Sequence, residues 1–152
     1  LAKAKSLGLF PELHFGKGRI IDLIYKKTVR PSLVQPAFLV NPPVELTPLT
    51  KRSKKDPRVA ERMQPVACAT ELGNGFTELN DPVDQRARFE EQMKLRAAGD
   101  TEAQQMDEEF LEALEYGMPP AAGFGVSERF FSVLMNKPIR ETTIFPLVRP
   151  KG

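Results

Sequence analysis

The sequence is poor in the side chains that carry most single-residue chemistry. Cys68 is its one cysteine and His14 its one histidine. A lone cysteine excludes an intrachain disulfide and fits a reducing compartment. His14 has no cysteine or acidic partner at metal-ligand spacing, which argues against zinc or general-base chemistry built on it. Nothing matches a Ser-His-Asp or Cys-His arrangement. Lys+Arg 22 against Asp+Glu 20 leaves a net charge of +2, too small for charge alone to imply a nucleic-acid partner. No apolar run approaches the ~18–20 residues of a membrane span, and the opening residues show no signal-peptide pattern. The expectation is a cytoplasmic protein without membrane contact.

What is present is a globular balance. The chain has 152 residues, 41% hydrophobic and 28% charged, enough for one ordinary domain. It begins LAKAKSLGLF without an initiator Met, and reads as a piece of something longer. Ile20, Ile21, Ile24 and Val29 fall near helical spacing in GKGRIIDLIYKKTV. SLVQPAFLVN predicts a buried strand from Val34 to Val40, with Pro36 marking an edge or bulge. Pro42, Pro43, Pro48 and Pro57 make the next stretch a long loop. Its basic part, KRSKKDPR, reads as a solvated loop, with RNA phosphates as the alternative contact. MQPVACATELGNGF predicts two strands joined near Ala69-Thr70, with Cys68 as a small core residue.

The helices downstream are better signed. Asp81-Pro82 predicts an N-cap and first turn for a helix running to a Gly99 cap, with Phe89, Met93 and Ala97 as its core stripe. Asp107 predicts the cap of a second helix ending at Gly117, with Phe110, Leu111 and Leu114 facing inward. AGFGVS predicts a short strand, Ser127 a capped helix over ERFFSVLMN, and IRETTIFPLVRP a helical piece and closing loop. Interleaved strands and helices without a regular βαβ rhythm predict an α+β fold, an antiparallel sheet flanked by helices.

Two stretches carry candidate chemistry, and each has a plain structural alternative. In ELGNGFTELND, residues 71–81, Asn74-Gly75 is a favoured hairpin turn and Asp81 a helix cap. In an extended strand, however, Leu72, Asn74, Phe76 and Glu78 share one face, with Glu71, Gly73, Gly75 and Thr77 on the other. A carboxylate, an amide and a ring on one face suit an amino-acid pocket: ammonium on Glu78, polar atoms on Asn74, methylenes on Phe76. In GFGVSERFF, residues 123–131, the glycines mark either a packing point or a surface that a flat base can approach. They lead to a helix start carrying Ser127 and Arg129, where free N–H groups and a guanidinium suit a polyphosphate.

Together ELGNGFTELND, DQRARFEEQ, AAGDTEAQQMDEEFLEALEYGMPP, GFGVSERF and IRETTIFPLVRP resemble the C-terminal half of the catalytic domain of class II lysyl-tRNA synthetases. LVQPAFLVNPPVELTPLTKR and ERM follow the same order, so the resemblance covers roughly residues 18–150. It implies that residues 1–152 are a partial catalytic domain: a strand and loop region over about 18–80, a helical region over about 81–117, and an ATP-site strand and helix over about 121–136. The upstream catalytic half and an anticodon-binding domain are then absent. The implied activity is lysine–tRNA ligation, in which ATP and lysine give lysyl-adenylate and lysine then passes to tRNA(Lys). The complete enzyme is expected to be a homodimer, and the isolated chain inactive. Asn74, Phe76 and Glu78 match lysine-pocket residues. Glu71 matches a magnesium ligand near the ATP phosphates, and Arg129 packs on adenine and reaches the terminal phosphate; these two are the implied catalytic residues. Gly123, Gly125, Glu128 and Arg129 form the implied ATP-binding segment.

The chain departs from that pattern at two places. Gln64 stands where the family usually has a second glutamate for magnesium, and an uncharged amide is a weaker partner for a hard cation. The G-x-G-x-G-x-acid-Arg run is one residue short, with Ser127 directly before Glu128-Arg129. Rival readings are a synthetase-like paralogue that attaches a lysine derivative to an elongation factor, and a non-catalytic truncated binding module.

Overall fold

The computed structural model describes residues 1–145. The last part of the expected closing loop, with Arg149, lies outside the described residues. The sheet is open and antiparallel, built from β1 (Ala37–Val40), β2 (Arg62–Ala67), β3 (Thr70–Glu71), β4 (Gly73–Thr77) and β5 (Ala122–Val126), and its strand order is β1-β2-β4-β5 with β3 also on β2. Around it stand α1 (Ala2–Ser6), α2 (Lys17–Ile24), α3 (Pro82–Ala97), α4 (Glu108–Glu115), α5 (Glu128–Met135) and α6 (Ile139–Thr142). The expected α+β class is observed.

β1 is shorter than predicted and lies at the sheet edge, where the nearby Pro36 removes no ladder bond. It is not a buried strand: Phe38 and Val40 are 66% and 53% exposed. The turn of the β2–β3 hairpin falls at Cys68-Ala69, with φ of +50° and +60°. Such a pair of left-handed residues gives a tight hairpin whose twist matches its strands. Cys68 is therefore an exposed turn residue and not a core one. Asn74-Gly75, the sequence's best turn signal, sits in mid-strand, with Asn74 opposite Gly125 and Gly75 opposite Phe124.

Glycine is needed there for space. A β-carbon on Gly75 would come 2.6 Å from the Phe124 ring, and one on Gly73 2.9 Å from the same ring and from the Gly125 carbonyl oxygen. The Phe124 ring thus lies across both glycines on one face of the sheet, and a methyl group at either position overlaps it.

α3 starts as predicted, the Asp81 carboxylate accepting from the Val83 and Asp84 N–H groups and Pro82 opening the first turn. Its C-terminal glycine, Gly99, has φ of +109°. Two of the three residues of the predicted core stripe are not in the core. Phe89 is buried, but Met93 and Ala97 are exposed, and the buried face is Gln85, Arg88, Phe89 and Gln92. Gln92 Oε1 accepts from the Gln104 N–H, while Gln85 and Arg88 are buried because the proline-rich loop lies against them and offers its carbonyls. Gln85 Nε2 donates to Pro48 O at 3.1 Å, and Arg88 donates to the Thr47 and Thr50 carbonyls while pairing with Asp84. The loop is also held by isolated antiparallel bridges at Pro43–Val59, Thr50–Glu78 and Arg52–Ala60, and these side chains meet carbonyls that the bridges leave over. Leu111 and Leu114 of α4 are buried as expected, and Phe110 crosses the Phe89 ring edge to face at 6.1 Å while staying partly exposed.

In the basic loop, Lys51 Nζ donates to Asn80 Oδ1 and Arg52 pairs with Asp84, so its start is fixed to the body. Lys54, Lys55 and Arg58 are exposed. Arg58 holds the Asp56 carboxyl down at about 2. No helix among the described residues is long and apolar enough to cross a membrane.

Candidate active-site face

The registers of the hairpin reveal how the candidate residues meet. On β2, Val66 pairs with Glu71 and Met63 with Gly75. Between those pairs β2 has Gln64 and Pro65, while the facing chain has Leu72, Gly73 and Asn74. One extra residue on one strand is a β-bulge, and it shifts the in-and-out alternation by one. Glu71 therefore shares a face with Asn74 and Phe76, contrary to the simple alternation that placed it with Gly73 and Gly75. Residues paired across an antiparallel ladder share a face, so Arg62, Gln64 and Val66 join it from β2, and Leu39 from β1.

β5 supplies bare floor. Gly125 lies opposite Asn74 and Gly123 opposite Phe76. A β-carbon on Gly123 would sit 3.4 Å from a Glu78 carboxylate oxygen, so the Glu78 side chain reaches over that glycine. A side chain at Gly123 would press on the carboxylate. Glu71, Asn74, Phe76, Glu78, Gly123 and Gly125, the expected lysine and nucleotide residues of the sheet, form one continuous surface.

At the β1 side this surface deepens into a cleft of about 180 Å³, lined by Asp22, Tyr25, Arg30, Arg62, Gln64 and Glu71 among others. Tyr25, at the start of the π-helical turn Tyr25–Val29, was not singled out by the sequence. Its hydroxyl is buried and has no hydrogen-bond partner among the described residues. Burial pushes that hydroxyl up from its ordinary range; Glu71 and Asp22 add to the rise and Arg30 opposes it. Arg62 was missed as well. Burial lowers its guanidinium from the usual value, with Glu71 and Asp22 holding it up. Among the described residues neither Glu71, Glu78 nor Arg62 belongs to an ion pair. The alternation on β2 could have pointed to Arg62, two residues before Gln64; nothing in the local sequence pointed to Tyr25.

Helix α5 follows directly from β5. The Ser127 hydroxyl accepts from the Arg129 N–H, and the Ser127 N–H donates to Leu72 O at 2.9 Å, tying the helix start to the bulge. Glu128 and Arg129 are exposed on the first turn of α5, and no side-chain bond among the described residues joins them to Glu71 or Glu78. Asn74, Phe76 and Glu78 thus share one face of the sheet, and no side-chain hydrogen bond or ion pair of the Arg129 guanidinium occurs among the described residues.

The oxygen donors that the cleft offers a metal include the Glu71 carboxylate and the Gln64 amide oxygen. No group of three or more His, Cys, Asp or Glu that could hold an ion occurs among the described residues. One carboxylate and one amide fit a small hard cation that takes its other ligands from water and substrate phosphates, which is how magnesium is usually held. The larger cavity, about 630 Å³ beside Arg19, Glu45, Gln92 and Asp100, contains none of these residues. There Arg19 grips Asp100 through two 3.1 Å hydrogen bonds and ties α2 to the turn after α3.

The fold is thus an open antiparallel sheet with a bulged acidic strand, a glycine floor and a capped helix at its end, and residues 21–149 match the family model of class II tRNA synthetases (D, K and N). The chain belongs to that family. Its relatives include the lysine–tRNA ligase of Moorella thermoacetica, 51% identical over 150 residues, 97% of this chain and 31% of that protein. The lysine–tRNA ligase of Carboxydothermus hydrogenoformans is 44% identical over 152 residues, 99% of this chain and 31% of the relative. That of Thermosipho africanus is 51% identical over 136 residues, 88% of this chain and 27% of the relative. The chain thus spans about a third of the length of the curated relatives it matches.

Proposed function

We propose that residues 1–152 carry the lysine-binding side and part of the ATP-binding side of a lysine–tRNA ligase. The observation that carries the reading is the bulge at Leu72–Asn74, because it unites Glu71 with Asn74, Phe76 and Glu78 on the face above Gly123 and Gly125. A lysine laid on that face meets Glu78 with its ammonium and Phe76 with its methylenes, while Asn74 orients its polar end. The two oxygen donors, Gln64 and Glu71, would hold magnesium against the ATP phosphates. When bound, that ion neutralises phosphate charge. Arg129, exposed on the first turn of α5 and without an ion pair among the described residues, is available to stack on the adenine and meet the terminal phosphate.

The lysine carboxylate oxygen attacks the α-phosphorus of ATP; the bond to the β-phosphate breaks and pyrophosphate leaves with the electron pair. A terminal hydroxyl of tRNA(Lys) then attacks the carbonyl carbon of lysyl-adenylate, AMP departs, and the hydroxyl proton goes to solvent. The chain's contribution is positioning and charge complementarity, the largest source of rate in such a site. In this reading the complete protein is a cytoplasmic homodimer.

The test is ATP–pyrophosphate exchange by the full native polypeptide carrying this chain, with each amino acid supplied singly. Exchange with lysine alone supports the reading; exchange driven by another amino acid, or by none, refutes it. Gln64 favours a second reading, a synthetase-like binding module without catalysis, since it leaves a single carboxylate for the metal. Lysine binding without exchange would select it.

A further inference from the structure

On the shared face, Arg62 Nε donates to Asn74 Oδ1 at 2.6 Å. The two residues are diagonal neighbours across the β2–β4 ladder, since Arg62 pairs with Phe76. The direction of this bond settles the orientation of an amide. A guanidinium has only donors, so the Asn74 atom it meets is the oxygen. The amide nitrogen is then turned away from Arg62. No protein acceptor among the described residues meets that N–H2 group, and it is not sealed inside the protein. Asn74 therefore presents donors to the open face, and Glu78, further along the same face, presents acceptors.

Resting on the reading of this face as a lysine pocket, we infer that Arg62 is a positioning residue that locks the Asn74 amide with its N–H2 toward the ligand, so that the pocket is a donor at one end and an acceptor at the other. This polarity selects which way an amino acid lies. A carboxylate or carbonyl oxygen goes to Asn74 and a side-chain ammonium to Glu78. With the amide free to turn, half of its orientations present an oxygen to the ligand's oxygen, and the register is lost. Arg62 is suited to the task because its planar Nε–H direction is fixed by the side chain, unlike a rotating ammonium. Arg62 lines the same cleft as the Glu71 and Asp22 carboxylates.

The test is a double-mutant cycle in the full native polypeptide, reading KM for lysine and for ATP in pyrophosphate exchange. Arg62→Met is expected to raise the lysine KM about tenfold, the usual scale for a hydrogen bond to a charged group, with the ATP KM unchanged. Arg62→Lys is expected to recover part of the loss. In an Asn74→Ala background Arg62→Met should add nothing, because Arg62 acts only through Asn74. A penalty of equal size in that background, or no penalty in the wild type, overturns the inference while the lysine reading survives. Absence of any lysine-dependent exchange in the wild type defeats the parent reading and this inference with it. A separate measurement reads the bond itself: the Arg62 Nε proton should exchange slowly with water and lose that protection in Asn74→Leu. Fast exchange in the unsubstituted protein overturns the inference whatever the kinetics show.

Discussion

Glu71 and Asn74 are three residues apart in the chain and lie on the same face of the sheet. Regular strand geometry would put them on opposite faces. The extra residue between the Val66–Glu71 and Met63–Gly75 pairs reverses that, and it brings a carboxylate beside the pocket instead of behind it.

The first prediction concerns the glycines flanking Asn74. Gly75→Ala is expected to cost about 1–3 kcal/mol, the usual range for forcing a methyl into a packed site. The overlapping atom belongs mainly to the Phe124 ring, so Phe124→Ala should relieve much of the cost. Gly73→Ala meets the Gly125 carbonyl as well as the ring, so Phe124→Ala should relieve less of it. Urea unfolding of Gly75→Ala, Gly73→Ala, Phe124→Ala and the two double variants reads the difference; equal rescue at both positions would contradict the packing described.

Acid stability should depend on Asp84. Burial alone would raise its carboxyl, but Arg88 and Arg52 bonded to it bring it below the ordinary value of 3.8. A carboxyl depressed in the folded state stabilises above its unfolded pKa, and the contribution fades as pH falls through the folded value. Asp84→Asn is therefore expected to lower stability at pH 7 and to flatten the loss of stability below about pH 4. Chemical denaturation across pH measures both; an unchanged acid limb would show that Asp84 is not responsible.

Much of this was legible in the sequence. Asp81, Asp107 and Ser127 cap the helices they were expected to cap, because capping needs only a short side chain and the next three residues. The surface of Asn74, Phe76 and Glu78 followed from alternation. Glu71 was misplaced because a bulge adds a residue without a local signal; the strand junction expected near Ala69-Thr70 falls at Cys68-Ala69, and the alternative of a turn at Asn74-Gly75 fails because another strand pairs across it. Here Phe124 crosses Gly75, a contact between residues far apart in sequence. The polar buried face of α3 was hidden for the same reason. Gln85 and Arg88 read as surface residues until the proline-rich loop offers them carbonyls.

Magnesium dependence should turn on Gln64. Gln64→Glu in the full native polypeptide adds a second carboxylate beside Glu71 and is expected to lower the magnesium concentration for half-maximal pyrophosphate exchange. A titration that does not move would show that position 64 is not a ligand.

The central claim is that the Glu78 carboxylate over Gly123 reads the ammonium of lysine, and lysine-dependent ATP–pyrophosphate exchange by Glu78→Gln against wild type tests it most directly. Stranding a buried charge without its partner typically costs about 2–5 kcal/mol, so the variant should keep its fold by circular dichroism and lose lysine-driven exchange by about 30-fold or more, with ATP affinity unchanged. Exchange at the wild-type level with the wild-type lysine KM would contradict the account.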